Sequence, residues 1–143
     1  MITYEWIFGG ENLKDVHDVR YVVFVEEQAV PIEEEVIAWE DETSWHLMIY
    51  SDGKPAATGR VLLHEGKHIL QRIAVLKEFR GQGLGALVTK KLIEKAEGLG
   101  AKEVSLSSQA HAVGLYEKLG FAICSEMYMD AGIEHFSMTK TLA

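Results

Sequence analysis

The sequence predicts a single α/β domain built on a mixed β-sheet. A chain of 143 residues is long enough for one domain, and a domain of this size buries roughly 70% of the surface of its unfolded chain. Hydrophobic residues make up 48% and charged residues 25% of the chain, the balance of a folded globule. The predicted elements follow the order β α (α) β β β α β α β β. The strand–helix–strand unit near the middle requires a parallel pair of strands.

The first half of the chain predicts one strand, one long helix and three further strands. Asn12 is expected to cap the helix, whose apolar residues recur at helical spacing to about residue 28, and Pro31 breaks it. A short helix is expected over residues 33–39. The predicted strands cover residues 2–8, 45–50, 56–63 and 68–76, with turns at 51–54 and 65–66.

The second half predicts two helices and three strands. Residues 83–99 form the clearest helix, because one stripe of apolar residues runs along it and Gly98 and Gly100 follow. The other predicted elements are a strand at 103–108, a short helix at 112–119, and a strand pair at 121–129 and 133–141.

Acidic residues are concentrated in one stretch. The formal net charge is −8, which argues against a nucleic acid as partner because such proteins need a basic surface. Residues 21–53 hold nine acidic residues and no lysine or arginine. This segment is either a solvated acidic loop or an acidic rim that attracts a cationic ligand.

The segment 73–86, Ile-Ala-Val-Leu-Lys-Glu-Phe-Arg-Gly-Gln-Gly-Leu-Gly-Ala, carries most of the functional information. A buried strand leads into three alternate glycines, at 81, 83 and 85, that open an amphipathic helix. Glycines let a ligand approach the backbone, and the first turn of a helix favours a phosphate. Arg80 adds a planar cation suited to the same anion. These residues predict a phosphate- or pyrophosphate-binding loop in preference to a purely structural turn.

Two nucleotide-binding interpretations of this loop fail on their surroundings. Gly81-x-Gly83-x-x-Ala86 fits the dinucleotide fingerprint, but that fold needs an acidic residue at the end of the next strand. Here Glu103 begins that strand instead. No Gly-Lys-Ser/Thr follows the glycines, so a Walker loop is excluded. A nucleotide-binding protein is therefore the weakest functional alternative.

Two motifs resemble the GNAT superfamily of N-acetyltransferases. Residues 80–85, Arg-x-x-Gly-x-Gly, are similar to its acyl-CoA pyrophosphate loop, and residues 116–121, Tyr-Glu-Lys-Leu-Gly-Phe, to its tyrosine-helix-Gly-Phe element. A narrower resemblance, to the ElaA-type subgroup, rests on residues 20–28, Arg-x-x-x-Phe-Val-x-Glu-Gln, and on residues 130–135, Asp-Ala-Gly-Ile-x-His. The predicted strand order is also the order found in that superfamily.

The resemblance implies a GNAT-like central mixed sheet flanked by helices, in which a splayed parallel strand pair binds acyl-CoA. It implies acetyl transfer from acetyl-CoA, as co-substrate and without a metal, to a primary amine that attacks directly in a ternary complex. Tyr116 would be the general acid for a leaving thiolate whose pKa is near 8.5, against about 10 for a tyrosine; an aromatic anchor in the core is its structural alternative. One N–H would polarise the thioester carbonyl. The residues expected to bind the cofactor are Ile73, Ala74 and Val75 along the arm, and Arg80, Gly81, Gln82, Gly83, Gly85 and Ala86 around the pyrophosphate.

The general base is not evident from the sequence. Many family members carry a carboxylate on the strand before the loop, whereas this chain has Leu70-Gln71-Arg72 there. An alkyl amine with a pKa near 10.4 needs a route for losing a proton. Either a water relay serves, or an acid of the 33–42 segment does, with Glu34, Glu35 and Glu42 as candidates. The acidic segment is expected to face the acceptor, a small cationic molecule or a lysine or N-terminal amine of a protein.

Several other side chains are assigned structural roles. Residues 64–68 fit the His-Glu-x-x-His zinc pattern by letter, but a hairpin there cannot place both histidines on one helix face. His111 and His135 are predicted as polar packing or loop residues, and Cys124 as a buried, inert thiol. Two tryptophans belong either to the core or to the wall of an acceptor pocket: Trp39 and Trp45.

A single cysteine, short apolar runs and the lack of a basic-then-apolar leader predict a cytoplasmic protein that does not contact membranes. The main functional rival is a non-catalytic acyl-CoA-binding or sensing module, which the missing strand carboxylate favours. The sequence leaves open the acceptor, the acyl chain length and the choice between a monomer and a homodimer.

Overall fold

A computed structural model of the chain describes residues 1–142. Its eight strands form one sheet in the order β1-β2-β3-β4-β5-β8-β6, and β7 also pairs with β8. Only β4 and β5 pair in parallel within this part of the chain, as the predicted crossover requires. The strands are β1 (Ile2–Phe8), β2 (Ser44–Ser51), β3 (Lys54–His64), β4 (Lys67–Val75), β5 (Glu103–Gln109), β6 (Ala122–Ile123), β7 (Tyr128–Asp130) and β8 (Ile133–Thr141).

Helices cover both faces of this sheet. None of the helices within residues 1–142 is long and apolar enough to cross a bilayer. A π-helical segment, Tyr21–Glu27, continues the first helix, and two 3₁₀ turns flank the fourth and fifth strands, at Lys77–Phe79 and Ala110–Ala112. The α-helices are α1 (Lys14–Arg20), α2 (Ile32–Glu35), α3 (Ala38–Glu42), α4 (Leu84–Gly98) and α5 (Val113–Lys118).

The hydrophobic core lies in two layers, one on each face of the sheet. On one face the predicted stripe of α4, including Val88 and Leu92, packs against the central strands. On the other face α1 packs against Met48 and Ala74. A Cβ at Gly59 of β3 would lie 2.7 Å from Val88 Cγ1, so glycine is what lets α4 approach the sheet this closely.

The predicted helix over residues 12–28 starts later and changes form. Leu13 precedes α1 without a side-chain cap, and Asn12 has a φ of 63°, so the predicted N-cap is wrong. From Tyr21 the chain is π-helical, and the N–H of Gln28 donates to the carbonyl of Val23 at 3.2 Å. Because a π-helix makes i→i+5 bonds, the side chains after Arg20 are rotated from their positions on an α-helix.

Two further elements differ from the prediction. The helix expected at 33–39 is divided between α2 and α3, and the strand expected at 121–129 is divided between β6 and β7. The Oγ of Ser125 accepts the N–H of Ser137 at 2.9 Å, in place of a strand carbonyl, and interrupts the strand. Cys124 lies at this interruption and is exposed, so the expectation of a buried thiol is wrong.

Candidate active site

A groove with a volume of about 790 Å³ opens between β4 and β5. The two strands pair only at Ile69 with Ser105 and at Leu70 with Leu106, and beyond these pairs they separate. The backbone groups of residues 71–75 that face β5 therefore have no strand partner. A long groove with unpaired backbone donors and acceptors suits an extended, polar ligand.

The separation of β4 from β5 begins at a β-bulge. Two residues of β4, Arg72 and Ile73, stand opposite Gly59 of β3 alone. Arg72 has a φ of 55°, a left-handed conformation that is uncommon for a residue with a side chain. A bulge bends its strand and increases the local twist. This bend directs the end of β4 away from β5 and so opens the groove.

The N-terminus of α4 lies at one end of the groove with uncapped N–H groups. Gly83 precedes the helix with a φ of 78°, and no side chain caps it. Within residues 1–142, the first-turn N–H groups of residues 84–86 make no hydrogen bond. A Cβ at Gly81 or Gly83 would meet no atom within 4 Å, so the space beside this turn is open. These free donors and the helix dipole form a site suited to a phosphate.

Arg80 connects this turn to the end of β4. Its Nε donates to the carbonyl of Val75 at 2.9 Å, and its Nη2 donates to Glu27 Oε1, also at 2.9 Å. The Arg80 side chain is 44% exposed, so water screens its ion pair with Glu27. The guanidinium can therefore exchange Glu27 for a bound anion at little cost.

The predicted cofactor residues fall into two groups. Ile73, Ala74, Val75 and Arg80 line the groove. The others continue from its end into the first turn of α4: Gly81, Gln82, Gly83, Gly85 and Ala86. The strand and the first turn of α4 thus adjoin each other, and only the first group lines the groove.

Tyr116 of α5 also lines the groove. Its ring packs edge-on against Phe121, with the centroids 6.1 Å apart. Burial raises the pKa of the Tyr116 hydroxyl to about 12, and within residues 1–142 this hydroxyl makes no hydrogen bond. The residue is thus an anchor for the α4 side of the core and, at the same time, a protonated donor at the groove.

The three acids named as base candidates lie in different environments. Glu34 lines the groove and is exposed. Glu35 also lines it but is only 2% exposed and is bound by Arg20. Glu42 does not line the groove: its Cγ lies 3.1 Å from where a Cβ at Gly10 would stand. The acidic segment is therefore not one continuous rim around the acceptor side.

Four side chains, of which Glu35 lines the groove, form a buried ion network: Arg20, Glu35, Asp41 and Arg60. Each is at most 2% exposed. Arg20 donates to Glu35 from Nε at 2.8 Å and from Nη2 at 2.7 Å. Asp41 Oδ1 accepts a bond of 2.7 Å from each of the two arginines. The network joins α1, α2 and α3 to β3, and so fixes the helical wall of the groove.

The charges in this network depend on one another. Burial alone would raise the pKa of the Asp41 carboxyl, but the bond with His17 and the guanidiniums of Arg20 and Arg60 hold it well below its usual range. Burial and the cations of Arg20 and Arg72 lower the pKa of Arg60 to about 10. Both groups therefore remain charged at neutral pH.

The two tryptophans lie outside the groove. Trp39 packs against His64 with ring centroids 4.9 Å apart and planes tilted by 45°. Lys95 Nζ lies over the ring of Trp45, 4.1 Å from its centroid. This lysine also lines a smaller cavity of about 300 Å³ between β1 and α4, which contains none of the predicted site residues.

Residues 64–68, which fit the zinc pattern only by letter, form the predicted hairpin. His64 ends β3, and Lys67 begins β4, so the two histidines do not share a helix face. Within residues 1–142 no group of three or more His, Cys, Asp or Glu side chains is arranged to hold a metal ion.

Comparison with known proteins agrees with this geometry. The family described as "Acetyltransferase (GNAT) domain" matches residues 12–142. The uncharacterized N-acetyltransferase YjcF of Bacillus subtilis is 42% identical over 131 residues, which cover 91% of this chain and 93% of that protein.

Solved structures give the same result. An acyl-CoA N-acyltransferase from Pseudomonas aeruginosa has a TM-score of 0.89 and 30% identity, covering 99% of this chain and 100% of that one. Escherichia coli ElaA has a TM-score of 0.86 and 25% identity, covering 98% and 99%. The sequence motifs, the splayed strands and these relatives all lead to one conclusion: the chain belongs to the GNAT acetyltransferase family.

Proposed function

We propose that the protein transfers an acetyl group from acetyl-CoA to a primary amine, which attacks directly in a ternary complex. The observation that carries this proposal is the groove between β4 and β5, which leads to the uncapped N-terminus of α4 beside Arg80. Acetyl-CoA has the complementary form, because its extended amide-containing arm ends in an anionic pyrophosphate.

The proposed binding mode uses mainly backbone groups. The backbone groups of Ile73, Ala74 and Val75 that have no strand partner on β5 bind the pantetheine arm, except the Val75 carbonyl, which accepts from Arg80. One N–H polarises the thioester carbonyl. Arg80 releases Glu27 and binds the pyrophosphate together with the backbone of residues 81–86. Backbone recognition explains why this loop needs glycines and an open approach more than particular side chains.

Tyr116 acts as the general acid in this proposal. Its hydroxyl is protonated and lines the groove. Complete proton transfer to a thiolate with a pKa near 8.5 is uphill from a tyrosine whose pKa is about 12. The main contribution of Tyr116 is therefore a hydrogen bond to sulfur as the carbon–sulfur bond lengthens, with the proton following as charge develops.

The acceptor is proposed to be a cationic amine: a small molecule, or a lysine or N-terminus of a protein. Two acidic residues that line the groove, Glu34 and Asp130, are exposed. Glu35 is already neutralised by Arg20 and Arg72. The free carboxylates are thus those that attract a cation from solvent.

Acetyl-CoA is expected to bind with micromolar affinity in a calorimetric titration, and NAD, as the control, is expected not to bind. Arg80→Gln should weaken binding about tenfold, since one charge-assisted hydrogen bond contributes about 1.5 kcal/mol. Glu27→Gln is the matched variant: it frees the guanidinium and should keep or tighten binding. Wild-type affinity in Arg80→Gln would show that this loop does not bind the pyrophosphate.

Glu34→Gln is expected to raise the KM for a cationic amine about two- to fivefold, because an exposed ion pair contributes at most about 1 kcal/mol. It should also reduce the salt dependence of KM. The measurement is thiol release from acetyl-CoA at two ionic strengths. Glu42→Gln removes the same charge outside the groove and should behave as wild type; equal effects of both changes would argue against a role for Glu34.

A non-catalytic acyl-CoA sensor remains the alternative function. The specific observation in its favour is that β4 contains no Asp or Glu, and its Gln71 bonds to Arg60 at 2.8 Å. A sensor would bind acetyl-CoA but release no thiol with any amine.

A further inference from the structure

We infer that His135 is the general base of the reaction, and that its Nε2 takes the proton that the acceptor amine loses. This inference rests on the proposed acetyl transfer. The residues of β4 that line the groove supply no base, so another group must do so. Gln71 of β4 bonds to Arg60. Arg72 is itself a cation and donates to Glu35 Oε2 at 3.2 Å.

His135 lies in the groove, on the face of the sheet opposite α4. It lines the groove and is 9% exposed. In the sheet it stands opposite Gln109 of β5 and Tyr128 of β7, so these three side chains share a face. Gln109 Nε2 donates to Gln28 Oε1 at 2.9 Å, which places this face against the end of the π-helical segment. Tyr116 instead packs with the core on the α4 side, so base and acid approach the thioester from opposite faces.

The hydrogen bond at Nδ1 determines the tautomer of His135. Nδ1 lies 2.8 Å from the carbonyl oxygen of Ile133. A carbonyl oxygen only accepts, so Nδ1 carries the hydrogen and donates it, and in the neutral ring Nε2 has a free lone pair. Within residues 1–142 no protein group bonds to this Nε2, and it is not among the buried polar atoms without a partner. It is therefore accessible as a proton acceptor.

The ring is also held in one orientation. Tyr128 stacks on it, with ring centroids 6.0 Å apart and planes inclined by 21°. The Tyr128 hydroxyl is bonded to the hydroxyl of Ser107 and accepts from Ser137 Oγ at 3.2 Å. A base needs this kind of fixed orientation, and a histidine that merely fills space in a loop does not.

The proton inventory of the reaction then balances within the site. The amine nitrogen forms a bond to the acetyl carbon, and the carbon–sulfur bond breaks. A cationic amine first gives up one proton to solvent through His135 Nε2 and attacks as the neutral amine. The attacking nitrogen then loses its second proton to His135 Nε2, and the sulfur gains one from the Tyr116 hydroxyl. The imidazolium and the tyrosinate return to their starting states by exchange with solvent.

Tyr128 stacks on His135, and other charged and titratable groups share the groove with it. These groups are Glu27, Glu34, Glu35, Arg72, Arg80, His111, Tyr116 and Asp130. A pH–rate profile measures all of them together, so the difference between wild type and a His135 variant is the informative quantity.

The test is His135→Asn, because the Asn amide keeps a donor for the Ile133 carbonyl and removes the acceptor at Nε2. We expect kcat/KM for amine-dependent thiol release to fall about 100-fold or more, and the shape of the pH–rate profile to differ from that of wild type. Affinity for acetyl-CoA, measured by calorimetry, should stay within twofold. His64→Asn, on the exposed hairpin between β3 and β4, should match wild type. ¹⁵N NMR of the wild-type ring should give the Nδ1–H tautomer.

The outcomes separate the two proposals. No thiol release by the wild-type protein with any amine would overturn the proposed function and this inference with it. Turnover by wild type and equal turnover by His135→Asn would overturn only the assignment of His135. Loss of acetyl-CoA affinity in His135→Asn would show a structural role, and an Nε2–H tautomer would exclude the base.

Discussion

Asp41→Asn is expected to lower the free energy of unfolding by about 3–5 kcal/mol, the range found when one partner of a buried ion pair is removed. Two guanidiniums, of Arg20 and Arg60, donate to the same oxygen of Asp41 at 2.7 Å. Without the carboxylate charge, these two cations would face each other away from water. Thermal unfolding measures the effect: at roughly 2–4 °C for each kcal/mol, Tm should fall by roughly 6–20 °C.

Asp18→Asn is the matched control for this prediction. Asp18 has the same charge and pairs with Lys14 on the exposed side of α1, so its replacement should change stability by less than about 0.5 kcal/mol. Equal shifts in Tm for Asp41→Asn and Asp18→Asn would mean that the buried ion network does not stabilise the fold.

The stability of the protein should also fall in acid because of Asp41. The pKa of this carboxyl is depressed in the folded protein, so its contribution is complete above the unfolded value of about 3.9 and is lost as the pH falls below it. Asp41→Asn should therefore have a flatter stability profile over this acid range. A parallel profile for wild type and variant would contradict the depressed pKa.

The parts of the fold predicted from the sequence are those encoded by local patterns. The stripe through Val88 and Leu92 identifies α4, and the three glycines identify the turn before it. The crossover from β4 to β5 requires their parallel pairing. Gly120 identifies the end of the short helix after β5 that carries Tyr116. All of these signals lie within about twenty residues of the feature they predict.

The features missed from the sequence arise from long-range contacts. The bulge at Arg72 has no glycine to indicate a positive φ, and it depends on pairing with β3. The pattern of nine acids does not reveal which two are buried, because Glu35 and Asp41 are paired with arginines from other elements. One signal was present: Arg20 follows Val16 by four residues and precedes Val23 by three, so a cation lies on the apolar face of its helix. Such a residue must have a buried partner.

Tyr116→Phe is expected to lower kcat about 100-fold, because it removes the hydrogen bond to the leaving sulfur. The hydroxyl makes no bond within residues 1–142, and burial is the cause of its raised pKa of about 12. Its removal should therefore leave Tm and the acetyl-CoA affinity nearly unchanged. The edge-on contact with Phe121 is kept by the phenylalanine ring.

The pH dependence of the wild-type enzyme gives a second test of Tyr116. A general acid works in its protonated form, and a pKa raised to about 12 keeps Tyr116 protonated throughout the usual assay range. The Tyr116→Phe variant should thus have the same profile shape as wild type at a lower rate, because the titrating groups are elsewhere. A sensor would release no thiol in either protein, and an anchor without catalytic function would keep both Tm and kcat, because the phenylalanine ring preserves the contact with Phe121. Only a proton donor to the thiolate predicts low turnover with intact binding and stability.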